Sequence, residues 1–107
     1  MPRQPTFTLV FAPEVVDHLG AIERKHHRLI RDVIDEQLRD TPGRATRNRK
    51  LLEQPAPFGA TWELRFGPGN RFRVFYEINS DNRIVRVLAI GVKDRERLMI
   101  GGEEFEL

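Results

Sequence analysis

Apolar residues recur at two different spacings along the chain, and the changes of spacing divide it into elements. Phe7, Leu9 and Phe11 alternate with Thr8 and Val10, which predicts a short strand with those three side chains on one face. Ala12-Pro13-Glu14 then reads as a helix start, because proline in the first turn gives up only an N–H that has no helical partner. Val15, Val16 and Leu19 share one side of a short helix that Gly20 ends or bends. From Ile22 to Asp40 the period becomes helical, with Ile22, Leu29, Ile30, Val33, Ile34 and Leu38 on one stripe. Arg28–Asp32 and Arg31–Asp35 sit at a favourable four-residue spacing on the other side. Thr41-Pro42-Gly43 stops this helix.

Arg44 to Phe58 reads as a linker, broken by Pro55 and Pro57 around a short Lys50-Leu51-Leu52 step. Alternation then returns. Strands are predicted over Thr61–Phe66, Arg71–Ile78 and Ile84–Val92, joined by Gly67-Pro68-Gly69-Asn70 and Asn79-Ser80-Asp81-Asn82. Gly91 marks a close backbone approach or a bulge. The predicted fold class is α+β: a small antiparallel sheet of about four strands with a mixed edge, and two N-terminal helices packed on one face. Trp62, Leu64, Phe66, Phe72, Val74, Tyr76 and Ile78 face those helices. Glu63, Arg65, Arg71, Arg73, Phe75 and Glu77 face the other way, onto a concave and partly covered surface.

A length of 107 residues fits one domain, with residues 1–6 as a loose leader and residues 98–107 as an acidic tail. Without cysteine, a disulfide framework and a thiol nucleophile are excluded. No stretch has the length of a signal peptide or a membrane span, so a cytoplasmic protein without a membrane partner is expected. The net charge is only +2, but its distribution is uneven. Between Gly43 and Phe75 seven bases, Arg44, Arg47, Arg49, Lys50, Arg65, Arg71 and Arg73, face two acids, Glu53 and Glu63. Such a local field attracts a polyanion. The spacing leaves two readings of the arginine-rich face: a solvated surface with cross-strand ion pairs, or a phosphate-binding one. Lys93, Arg95 and Arg97 alternate after the third strand and extend the basic edge if the extended form continues. His18, His26 and His27 read as ordinary surface or helix-packing residues, and no metal-ligand spacing or cofactor motif is present.

The order of these elements, with "RKLLE", "WELR", "NRFRVFYEI" and "VLAIGVKDRER", resembles the RelE/ParE superfamily of type II toxin–antitoxin toxins, and is closer to its RelE-like branch. The resemblance runs from Phe7 to about Arg97. It implies a toxin neutralised by a cognate antitoxin protein. RelE-like members are RNA-binding endoribonucleases (mRNA interferases) that cut messenger RNA on the ribosome and inhibit translation; ParE-like members inhibit DNA gyrase. It also implies that Arg73 and Arg95 are catalytic, with Glu63 as the nearby carboxylate available as a base. Lys50, Arg65, Arg71, Lys93 and Arg97 then bind substrate. A lysine pair is absent from the strand that reads Thr61-Trp62-Glu63, and Met99-Ile100-Gly101-Gly102 stands where several active relatives have an aromatic residue or histidine. A degenerate toxin that only binds its antitoxin is therefore a third expectation.

Overall fold

The computed structural model describes residues 6–105. Residues 1–5, most of the expected leader, lie outside the described residues, as do the last two of the expected tail. The elements are β1 (Thr8–Phe11), α1 (Val15–Gly20), α2 (His27–Leu38), β2 (Arg49–Leu51), β3 (Trp62–Phe66), β4 (Phe72–Asn79), β5 (Ile84–Asp94), β6 (Arg97–Ile100) and β7 (Glu103–Phe105). The sheet order is β2-β3-β4-β5-β6-β7, antiparallel throughout, with β1 added parallel to β5.

This seven-stranded sheet overturns the expected arrangement of about four strands and two helices. The three alternating runs form β3, β4 and β5, but β2, β6 and β7 were not foreseen. β2 lies in a basic, proline-flanked segment with no alternation, and main-chain bonds fix it: Leu52 N–H to the Thr61 carbonyl, and Arg65 N–H to the Asn48 carbonyl. The expected tail instead supplies β6 and β7. Gly101 and Gly102, at φ 62° and 81°, form the tight turn between them.

The helix layer is also slighter than expected. Residues Arg24–His26 form a 3₁₀ turn, and α2 begins at His27, whose Nε2–H donates to the Ile22 carbonyl at 2.8 Å. Ile30, Ile34 and Leu38 are buried with Val15 against Leu64, Phe72, Val74 and Tyr76, while Leu29 is exposed. Each such large side chain contributes about 1.5–3 kcal/mol by leaving water. Arg49 closes the far end of α2, donating from Nη1 to the carbonyls of Gln37 (2.7 Å) and Thr41 (2.6 Å). A cation suits those free carbonyls at a helix C-terminus.

The face expected to stay partly open carries a second apolar cluster of Ala60, Phe75, Ala89, Leu98 and Ile100, with Leu52, Leu88 and Phe105 against it. The β4–β5 ladder behind this cluster carries a bulge. Phe75 pairs with Ala89 but Tyr76 pairs with Val87, leaving Leu88 as the extra residue of β5. Gly91 is not the bulge. It allows close approach, since a Cβ there would stand 2.8 Å from Ile100 Cγ1 and 2.9 Å from the Met99 carbonyl oxygen.

One edge of β5 is taken by β4. The other is shared by β1, at Ile84–Val87, and β6, at Gly91–Asp94. In the gap between them the Ile90 N–H donates to His18 Nδ1 at 3.2 Å. His18, read from sequence as ordinary, is thus a buried member of the sheet's hydrogen bonding. Among the described residues no helix is long and apolar enough to cross a membrane.

Candidate functional site

The register of β2, β3 and β4 concentrates charge at one place. Lys50 stands opposite Glu63, and Arg65 stands opposite Arg73. Like charges directly opposite repel across an antiparallel pair, so two facing arginines need a counter-charge. Glu63 supplies it. Its Oε1 accepts from Arg65 Nε at 2.5 Å and lies 3.9 Å from Lys50 Nζ; its Oε2 lies 3.6 Å from Arg73 Nη1. Glu63 and Arg73 are each only 4% exposed. Arg73 is held again by its Nε–H, which donates to the Asn70 carbonyl at 2.9 Å. Burial pushes the Arg73 guanidinium below its usual value and Arg65 adds to the effect, while Glu63 works against both. A guanidinium starts so high that it stays charged throughout.

This cluster opens into a cavity of about 290 Å³, whose charged walls are Lys50, Glu53, Glu63, Arg65, Arg73 and Lys93. Leu52, Pro55, Pro57, Phe75 and Leu98 make the rest apolar. Four cations and two carboxylates leave a net positive site with forked donors, which is the chemistry of phosphate recognition. One site residue was missed in sequence. Glu53 lies in the proline-broken segment where no period assigns a face, yet it lines this cavity and forms no ion pair among the described residues. Glu63, by contrast, has both oxygens engaged, a geometry that suits holding two guanidinia rather than taking a proton.

Five of the expected site residues therefore meet here: Lys50, Glu63, Arg65, Arg73 and Lys93. The other three do not. Arg71 precedes β4 in a helical conformation, φ −72° and ψ −27°, which breaks the alternation that would have set it beside Arg73. Its guanidinium stacks 5.3 Å from the centre of the Phe72 ring and lines a different cavity. Arg95 sits in the exposed β5–β6 turn in the left-handed region at φ 57°. That turn also ends the extended run. Arg97 comes opposite Asp94, on the face away from Lys93. No protein-family model and no curated protein matches this chain.

Proposed function

We propose that the chain is the toxin of a type II toxin–antitoxin system, a relative of the RelE-like toxins, that cuts messenger RNA on the ribosome in the cytoplasm and is held inactive by a cognate antitoxin. The observation that carries this reading is the Arg65–Arg73 pair, set side by side over a cavity with Lys50 and Lys93. The reaction it suits is attack of a ribose 2′-oxygen on the adjacent phosphorus. A 2′-O–P bond forms, the P–O5′ bond breaks, the 2′-hydroxyl proton goes to a base, and the departing 5′-oxygen takes a proton. Arg73 and Arg65 stabilise the charge on the phosphoryl oxygens. Glu53, the carboxylate without an ion pair, takes the proton, and Lys93 is the donor for the leaving oxygen. Glu63 positions the two guanidinia. Arg95 reaches the RNA from the exposed turn.

Induced expression followed by ribosome profiling tests this. The expected result is growth arrest with cut transcripts, lost in Arg73→Ala and in Arg73→Lys; Arg73→Lys keeps a cation beside the buried Glu63, and circular dichroism should show it folded. Cleavage retained in both variants removes Arg73 from the mechanism. A second reading has its own observation: both arginines already hold Glu63, which favours a chain that binds its antitoxin without cutting. Expression without arrest or cleavage selects that reading. Arrest without cleavage, together with inhibition of supercoiling by the purified protein, selects a gyrase-directed toxin instead.

A further inference from the structure

A second cavity, of about 280 Å³, lies on the helix side of the sheet, back to back with the basic one: Lys93 lines the first and its neighbour Asp94 the second. His18 forms part of its wall and is 6% exposed. Because His18 Nδ1 accepts the Ile90 N–H, the neutral ring carries its proton on Nε2. Nε2 has no hydrogen-bond partner among the described residues, yet no enclosed side-chain polar atom there is left unsatisfied, so this N–H opens to the cavity. Gly101, on the same wall, lies against that ring edge; a Cβ on it would stand 3.3 Å from His18 Cδ2.

Two other polar walls are also free to bind. Arg71 and Asp94 form no ion pair among the described residues, while the Glu23 carboxylate beside them lies 3.4 Å from Lys25 Nζ. Arg71 and the His26 ring are both packed on Phe72, at 5.3 and 5.1 Å, which fixes two flat groups beside the cavity. A ligand here must offer acceptors to Arg71 and His18 and donors to a carboxylate. The two acids disfavour a bare polyanion, and among the described residues no three His, Asp or Glu side chains are grouped to hold a metal.

We propose that this cavity takes a guanine base of the RNA, read by Arg71, His18 and Asp94; the inference rests on the RNA reading given above. Guanine presents O6 and N7 as acceptors and N2–H₂ as a donor, with N1–H beside it, whereas adenine places its N6 donor where guanine has O6. The planes of His26 and Arg71 suit stacking with a base. Lys93 and Asp94 are consecutive residues lining the two cavities, so the β5–β6 turn that follows them is where one RNA strand would cross between the two.

The test titrates guanosine 5′-monophosphate, adenosine 5′-monophosphate and inorganic phosphate into the full chain, followed by amide NMR. The guanine nucleotide is expected to move the amides of Val92, Met99, Gly101 and Gly102. The adenine nucleotide should bind there about ten-fold more weakly, and phosphate should move only the Arg65–Arg73 region. Asp94→Asn and Glu23→Gln together should weaken guanine binding about ten-fold or more. Equal affinity for the two nucleotides, shifts confined to the basic cavity, or an unchanged double variant overturns the proposal. Transcript cleavage without guanine binding at Gly101 sinks this inference and leaves the function standing. Guanine binding without cleavage or phosphate binding does the reverse.

Discussion

Replacing Glu63 by alanine is the sharpest test of how the site is built. The carboxylate is the counter-charge for Arg73, whose side chain is 5% exposed, and for Arg65, at 32%. Removing one partner of a buried pair costs about 3–5 kcal/mol, because the remaining charge stays out of water without compensation. Two features reduce that figure. Arg65 and Lys50, the latter 53% exposed, can turn to solvent, and Arg73 keeps its bond to the Asn70 carbonyl. The expected loss is therefore near the lower limit, about 3 kcal/mol, or roughly 12–20 °C in Tm for a domain of this size. The pair Glu63→Ala/Arg73→Leu should recover at least half of it, since the stranded charge is gone. Urea unfolding can be followed by fluorescence of Trp62, whose ring stacks 6.2 Å from that of Tyr76, and by circular dichroism. A loss below about 1 kcal/mol for Glu63→Ala, or a double variant no more stable than the single one, would refute the view that Glu63 holds the arginines.

Other outcomes follow from the same reasoning. Burial holds the His18 imidazole below its usual value, against the pull of Glu14 and Asp17. The unfolded chain therefore takes up a proton that the folded chain resists, and stability falls as pH drops below about 6.5; His18→Leu should flatten that step in urea midpoints measured from pH 7.5 to 5. Gly67 has φ 82° and ψ 177°, a region kept for glycine, and a Cβ there would stand 2.5 Å from Phe72 Cδ2. Gly67→Ala should cost about 3 kcal/mol or more, and Gly69→Ala, with nothing within 4 Å, only about 1 kcal/mol; equal melting points would contradict this. Tyr76 donates its hydroxyl to the Pro42 carbonyl at 2.8 Å, and burial with no nearby cation strong enough to offset it raises the phenol. Tyr76→Phe should lose about 1–3 kcal/mol of unfolding free energy, from a carbonyl left unpaired.

The sequence carried the charged cluster further than it carried the architecture. Alternation placed Glu63, Arg65 and Arg73 on one face because β3 and β4 are regular there, and that face holds the cavity. Alternation also fails where it stops. Arg71 was assigned from a strand that starts one residue later, and Arg97 from a strand that turns at Arg95. β2 has three residues and no pattern, so its pairing with β3 is decided by partners distant in sequence. Gly101-Gly102 between an apolar run and Glu103-Glu104-Phe105 was a readable hairpin signal that the acidity of the segment obscured. The role of His18 had no local signal at all, because it depends on a gap left where two other strands meet β5.

That gap has a consequence for how the chain is made. β5 must receive β1 on the edge that β6 also uses, so β1, at Thr8–Phe11, has its seat at Ile84–Val87, a segment synthesised much later. Until residues 84–87 exist, β1 has nothing to pair with, and Phe11 and Leu9 stay without their sheet. Pairings this far apart along the chain form slowly. The basic cavity needs Lys93 and Leu98 as well, so a nascent or prematurely terminated chain has no assembled site. Whatever chemistry the cavity performs begins only after the chain as far as Leu98 has left the ribosome.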